Sequence, residues 1–320
     1  MISRKTVLIL GAGASFQYGF PLGAQLRSNI LSLSDPHHRV LHESGIVHHQ
    51  DLADFCRDFR NSRLASVDAF LALRPEHSET GKKAIAAWIL YHEANNRGNL
   101  LDGGIDGWYD YLWGRIAAGV PWDKLSFSNL SVVTFNYDRS LETFLLQAIR
   151  ATYNVNLETA SKKLQEMSIV HVYGDVGPAT PLQASYSTYG LPLSPDLVNL
   201  AVPRLKVIPE ARDNEPTFVE AQRLLTEASA ICFLGFGFDP LNLRRLNAEV
   251  TCAPNIVRAD NSPFARDVVA TCKGQTQAEA IESAKLCGFD RYYQQPNGGL
   301  PLGFVNGDCL SALRESLILQ

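Results

Sequence analysis

This sequence predicts a doubly wound α/β fold with a mostly parallel sheet, and three observations carry the prediction. Val7, Leu8, Ile9 and Leu10 are four large apolar residues in a row, closed by Gly11. That pattern suits a strand buried on both faces rather than an amphipathic helix, which needs a longer period. Comparable short runs recur at residues 130–135, 168–172, 230–234 and 255–259, with helical patterns between them, and strands alternating with helical crossovers make a parallel sheet. The chain is also large enough: 320 residues, 46% hydrophobic and 19% charged, can bury an extensive core as one big domain or as a core carrying a lobe.

The first strand runs into Gly11-Ala12-Gly13-Ala14-Ser15. Glycines there permit a tight turn and close backbone approach, and a helix starting just after would aim free N–H groups at a phosphate. The dinucleotide fingerprint is incomplete, because Phe16 stands where its last glycine or alanine belongs, and no acid-ended second strand follows about 20 residues on. Without a Gly-Lys-Ser/Thr step the turn is not a P-loop. On its own it fits a nucleotide site and an ordinary α/β start equally. Gly19-Phe20-Pro21 makes a second break, with Pro21 in the first turn of a helix predicted over residues 22–33 that carries Leu22, Leu26 and Ile30 on one face. Residues 34–38 read as a turn.

Strand signals then vanish. Leu52, Phe55 and Phe59, then Val67, Phe70 and Leu71, then Ala84, Trp88 and Tyr91, then Trp108, Tyr111, Leu112 and Ile116 recur at helical spacing. The expected organisation is a Rossmann-like core of residues 1–34 plus 123–320, interrupted by a helical insertion lobe at 35–122. The aromatic run at 108–113 reads as packing between helices.

The α/β pattern returns with the strand at 130–135, ended by Asn136-Tyr137-Asp138, and a helix with Leu141, Phe144, Leu145 and Ile149 on its buried face. An amphipathic helix at 156–167 leads to the strand at 168–172, which contains His171 and closes on Tyr173-Gly174. Residues 206–208 suggest a short strand and 218–228 a helix. The strand at 230–234 ends in Gly235-Phe236-Gly237-Phe238-Asp239. A strand at 255–259, a helix at 278–286 and a closing helix at 308–319 complete the chain. Residues 175–205, rich in proline, form a stretch whose length suggests an active-site cover.

Composition excludes several classes. A net charge of −4 and a pI near 6.1 argue against a nucleic-acid surface, and Arg57, Arg60 and Arg63 fit a solvated helix face. The six cysteines contain no Cys-x-x-Cys pair, so neither a zinc ribbon nor a secreted disulfide framework is expected, and no metal ligands are assigned. No apolar run approaches the ~18 residues of a membrane span. A cytoplasmic protein without membrane or direct nucleic-acid contacts is the expectation.

Four polar or glycine-rich groups fall at strand ends: residues 11–15, Asn136 with Asp138, His171, and residues 235–239. In an open parallel sheet ligands bind outside the carboxyl ends of the strands, so one crevice could gather all four. Each group has a plainer alternative. Asn136 and Asp138 fit an Asx turn and helix cap, His171 fits a satisfied core histidine, and Gly235 and Gly237 fit a tight turn.

In this order, Gly11-Ala12-Gly13-Ala14-Ser15 with Gly19-Phe20-Pro21, Thr134-Phe135-Asn136-Tyr137-Asp138, His171-Val172-Tyr173-Gly174 and Gly235-Phe236-Gly237-Phe238-Asp239 resemble the motifs of the sirtuin superfamily. The closest likeness is to bacterial sirtuin-like domains that hydrolyse NAD in antiphage defence; residues 66–71 and 108–113 are similar to that branch too. The resemblance covers residues 7–260. It implies an NAD glycohydrolase releasing nicotinamide and ADP-ribose, with NAD as substrate. Asp138 would meet the carboxamide, Asn136 the ribose and attacking water, and His171 would be the base, its ordinary pKa of about 6.5 suiting that work. Gly11, Ala12, Gly13 and Ser15 would hold the pyrophosphate, with Phe20, Pro21 and Thr134 beside the dinucleotide. Gly235, Gly237 and Asp260 would meet the adenosine half, and Asp239 would either join them or only cap the helix starting at Pro240.

The departures from protein deacylases are the missing zinc ribbon, Leu22-Gly23-Ala24-Gln25 in place of the acidic-Phe-Arg segment, and Gly-Phe-Gly in the last motif. They weaken a deacylase or ADP-ribosyltransferase reading. A sensor that binds NAD or a nucleotide signal without turnover is the alternative from another class. A cofactor-destroying enzyme also implies restraint by homo-oligomer formation or a regulatory partner. Asn136→Ala and His171→Ala are expected to remove turnover and leave the fold intact, since both residues read as loop ends.

Overall fold

The structure is a computed structural model describing residues 2–32, 41, 45–101, 106–178, 189–207, 215–253, 255–257, 263–289, 299–301 and 303–320. Its strands are β1 (Thr6–Leu10), β2 (Leu130–Thr134), β3 (Ser168–His171), β4 (Ala230–Leu234), β5 (Asn255–Val257), β6 (Pro263–Ala265), β7 (Asp267–Thr271) and β8 (Phe304–Val305). Six of them form one sheet in the order β3-β2-β1-β4-β7-β8, and every pairing in it is parallel. Counting main-sheet strands alone, this is the Rossmann-like order 3-2-1-4-5-6.

The central strands explain themselves. All five residues of β1 and all five of β4 are buried, as an unbroken apolar run requires when helices cover both faces of a sheet. At the edge, β3 is only half-buried, which accommodates Ser168 and His171. The chain builds outward from β1 through β2 to β3 and then crosses back to β4 on the other side of β1, so the order reverses between β1 and β4. Crevices for ligands open at that switch point.

After β1 come α1 (Ala12–Phe16), α2 (Gly23–Leu31), α3 (His49–Ser62), α4 (Val67–Leu73), α5 (Ser78–Leu101) and α6 (Trp108–Ala117). The last four of these supply the helical insertion. Leu52, Phe55, Cys56 and Phe59 make one buried face of α3, and the Ser66 hydroxyl caps α4 by accepting from Ala69 N at 3.1 Å. The lobe does not stand apart. Helix α2 packs with α3, α4 and α5, while α5 and α6 both pack on α7 (Ser140–Tyr153) of the core, and a single hydrophobic cluster runs through both parts.

The remaining helices are α8 (Leu157–Leu164), α9 (Pro195–Ala201), α10 (Pro216–Glu227), α11 (Pro240–Arg245), α12 (Ala248–Thr251), α13 (Gln277–Leu286) and α14 (Cys309–Ser316). Several expectations need correction. No strand forms at Lys206 and Val207; Lys206 N makes one backbone bond, to Tyr173 O at 2.9 Å, rather than a ladder, and residue 208 lies outside the described residues. The run expected at 255–259 is described only as β5, which pairs antiparallel with β6 outside the main sheet. The main-sheet strand beside β4 is β7, whose apolar run, Val268 to Ala270, is only three residues long. Within the proline-rich stretch, Pro195 starts α9 behind the Ser194 cap, so this part is a helix, packed against α5. The turn expected at 34–38 lies outside the described residues. No described helix is long and apolar enough to cross a membrane.

Candidate active site

Register brings three strand ends level. Leu10 pairs with Thr134 on one side and Leu234 on the other, and the pairing carries on past the strands: Phe135 N donates to Leu10 O at 2.9 Å and Gly11 N to Leu234 O at 3.1 Å. The first and fourth turns then interlock. Gly235 has φ +57°, and a Cβ there would lie 2.1 Å from Ala14 N; a Cβ on Gly11 would lie 2.6 Å from Gly235 O, and one on Gly13 2.7 Å from Gly235 Cα. The glycines are therefore required by contact between the two turns themselves. Gly13 N also donates to Gly235 O at 2.9 Å, so that N–H is spent within the fold.

Above the interlocked turns lies a cleft of about 190 Å³. It brings together Gly11, Ala12, Ser15, Phe20, Pro21, Asn136, Asp138, Gly237 and Asp239 of the expected residues. Gly13, Thr134, His171 and Gly235 do not line it. Thr134 is buried, and its Oγ1 accepts from Asn136 N at 3.1 Å, which makes it a support for the loop. Asp260 lies outside the described residues. The volume is below the ~300–1,000 Å³ of typical small-molecule pockets, room for part of a dinucleotide.

Asn136 and Asp138 share one hydrogen-bond chain. Asn136 Nδ2 donates to Gly11 O at 2.9 Å and to Ser15 Oγ at 3.1 Å. Both amide hydrogens are thus engaged, and Oδ1 is left as the acceptor. Asp138 accepts from Ser140 N at 3.1 Å, from Ser140 Oγ by a short contact, and from Ser15. Burial raises its carboxyl above the ordinary range, opposed by the donors of Ser140 and Ser15. Behind it, Tyr109 OH bonds Ser140 Oγ at 2.7 Å. Asp239, whose carboxylate accepts from Leu241 N and Asn242 N at 3.0 Å each, caps α11 and also lines the cleft.

His171 departs most from expectation. Its Nδ1 lies 3.0 Å from Asn136 O and its Nε2 2.6 Å from Glu142 Oε1. A carbonyl only accepts, so Nδ1 carries a proton, and the ring donates to the carboxylate with its other nitrogen. Burial alone would lower the imidazole pKa, but Glu142 outweighs it and Asp175 adds to the effect, so the pKa rises to about 9. Arg204 holds Asp175 by two bonds of 2.8 and 2.9 Å. At neutral pH His171 is therefore an imidazolium with both nitrogens occupied. The expectation of a free base with an ordinary pKa is corrected. The side chains are 11% and 17% exposed, so His171→Ala would leave a nearly buried carboxylate without its partner, and the expectation that this variant spares the fold does not hold.

The insertion lobe reaches the site at several points. Trp108 Nε1 donates to Ala14 O at 2.8 Å, and Tyr109 N to Tyr18 OH at 2.8 Å, while the Tyr18 and Tyr109 rings stack at 3.8 Å. Asn96 Nδ2 donates to Gly19 O at 3.2 Å, fixing the Gly19-Phe20-Pro21 break, where Gly19 has φ +89°. Glu93 of α5 and Arg139, both buried, pair through contacts of 2.9–3.3 Å, and Arg139 also donates to Pro178 O at 2.5 Å. Asp68 and Ile89 line the cleft directly, and Tyr137 OH donates to Asp68 Oδ1 at 2.6 Å.

Sequence reasoning left Asp68, Tyr137, Phe236, Asn242 and Glu142 without a role at the site. Asp68 and Tyr137 stood within quoted motifs, and Glu142 lies one turn into the helix after Asp138, so motif position was the available signal. Among the described residues no group of three or more His, Cys, Asp or Glu side chains could hold a metal ion, and all six cysteines are buried and free. No protein-family model matches the chain, and no curated protein matches it.

Proposed function

We propose that the protein hydrolyses NAD to nicotinamide and ADP-ribose. The observation that carries this reading is the convergence of Asn136 and Asp138 with the turn after β1 in one cleft at the switch point of the sheet. The sirtuin-like motif order supports it and extends it to NAD depletion in bacterial antiphage defence, in the cytoplasm, under the restraint of a homo-oligomer or a regulatory partner.

The chemistry asks little of the protein. When the bond between ribose C1 and the pyridinium nitrogen breaks, its electron pair neutralises the ring, so nicotinamide leaves without an acid. Water then bonds to C1 and gives up a proton. Asn136 Oδ1, the unengaged acceptor, suits stabilisation of the electron-poor ribose and alignment of the water. Asp138, a carboxylate made more basic by burial, suits the proton. His171 acts from behind: as an imidazolium it holds the Asn136 carbonyl and thereby the loop carrying both groups.

The occupied nitrogens of His171 also favour the second reading, a sensor that binds NAD without turnover. Incubation with NAD, with nicotinamide followed by chromatography and binding by thermal shift, separates the two. Release supports the hydrolase. A shift without release favours the sensor, and neither removes the nucleotide site.

A further inference from the structure

Among the described residues, the lining of the cleft contains the carboxylates Asp68, Asp138 and Asp239 but no Lys, Arg or His. Four aromatic residues, Phe20, Phe135, Tyr137 and Phe236, line it as well. Phe135 and Phe236 meet edge-on with centroids 5.0 Å apart. A phosphate in such a place would find like charges and no cationic partner, whereas a flat organic cation gains from both the carboxylates and the ring faces.

Asp68 differs from the other two acids in origin and surroundings. Asp138 belongs to the strand-end loop and is tied to Ser140 and Ser15, and Asp239 is tied to the α11 amides. Asp68 comes from α4 of the insertion lobe, lines the same cleft and is held there by the Tyr137 hydroxyl. Burial raises its carboxyl above the usual range, and the charge of Asp239 adds to this, so a cation in the cleft they both line would favour the ionised form of each.

We propose that the cleft selects a positively charged aromatic ring and that Asp68 is the insertion-lobe residue contacting it, so that the lobe completes the ligand site. This deepens the NAD reading, in which the pyridinium is the charged ring, and rests on it for the identity of the ligand. The insertion then has a direct part in binding.

The test is equilibrium binding of three probes to the full chain and to Asp68→Asn: N1-methylnicotinamide, a cation; nicotinamide, its neutral counterpart; and ADP-ribose, which carries no cationic ring. The wild type is expected to prefer the cation about tenfold, and Asp68→Asn to lose that preference while its ADP-ribose affinity stays within about twofold. Retained ADP-ribose binding also reports that the variant is folded. Equal affinity of the wild type for the two rings, failure to bind either, or a preference surviving in Asp68→Asn overturns the proposal. Should Asp68→Asn lose ADP-ribose binding, Asp68→Glu replaces it as the test and must keep the cation preference. Binding of ADP-ribose to the wild type judges the dinucleotide reading separately.

Discussion

Gly235→Ala probes the architecture under the site, and it requires no assumption about function. The added methyl would sit 2.1 Å from Ala14 N, 2.2 Å from Gly13 C and 2.5 Å from Gly13 Cα, all backbone atoms that cannot rotate away. The position also has φ +57°, where a side chain costs roughly 1–2 kcal/mol. Parting two packed turns adds about 1–3 kcal/mol, giving an expected loss of about 2–5 kcal/mol against a typical total of ~5–15 kcal/mol. Gly237→Ala, two residues away, is the internal control. Its Cβ meets nothing within 4 Å, so its stability should stay within ~0.5 kcal/mol of the wild type. Urea unfolding followed by tryptophan fluorescence measures both. A Gly235→Ala protein as stable as Gly237→Ala would refute the interlock of the β1 and β4 turns, and with it the reason given for the glycines.

Other expectations follow from the same geometry. His171 has a folded pKa of about 9, above its unfolded value of about 6.5. Its pairing therefore stabilises the fold fully below about pH 6.5, and that contribution, on the order of 3 kcal/mol, is lost as pH rises through 9. Glu142→Gln should flatten this slope and bring the His171 pKa down, read by NMR titration of the imidazole; an unchanged titration contradicts the pair. Trp108→Phe deletes the donor to Ala14 O inside a fully buried contact and should cost about 2–3 kcal/mol in urea unfolding; a neutral result would mean that the insertion lobe does not clamp the first turn. The raised carboxyls of Asp68 and Asp138 must be ionised to hold a cation, so affinity for N1-methylnicotinamide should fall as pH drops through the mildly acidic range. Calorimetry across that range checks the sign, and tighter binding at lower pH opposes it.

The sheet was legible wherever one strand wrote its burial into an unbroken apolar run: β4 is predicted to the residue, and β1 adds only Thr6 to the apolar run of residues 7–10. Partial runs were harder. Only three apolar residues mark β7, and two residues make β8, so their pairing is decided by the sheet they join. The site was legible in its loops, because strand ends carry Gly11, Asn136, Asp138 and Gly237 to one side by topology alone. Its opposite wall was not. Asp68 reads as a first-turn acid on an ordinary helix, and only a tertiary contact, the bond from the Tyr137 hydroxyl, ties it to the strand-end loop at the cleft. His171 was found by motif, but its ionisation depends on Glu142, which lies 29 residues away, and no local pattern encodes that contact. Gly13 and Gly235 also constrain each other by direct backbone contact, which no local pattern encodes.

Nicotinamide and ADP-ribose formed from NAD by the wild type and by Asn136→Ala locate the chemistry. Asn136 is half-exposed at the cleft, and losing its two donated bonds should cost only about 1–2 kcal/mol of stability. Equimolar products are expected from the wild type, and at least a hundredfold slower release from a folded Asn136→Ala protein, a scale typical of losing one transition-state contact (~2.7 kcal/mol). Release at the wild-type rate by the variant would contradict the placement of the chemistry in this cleft.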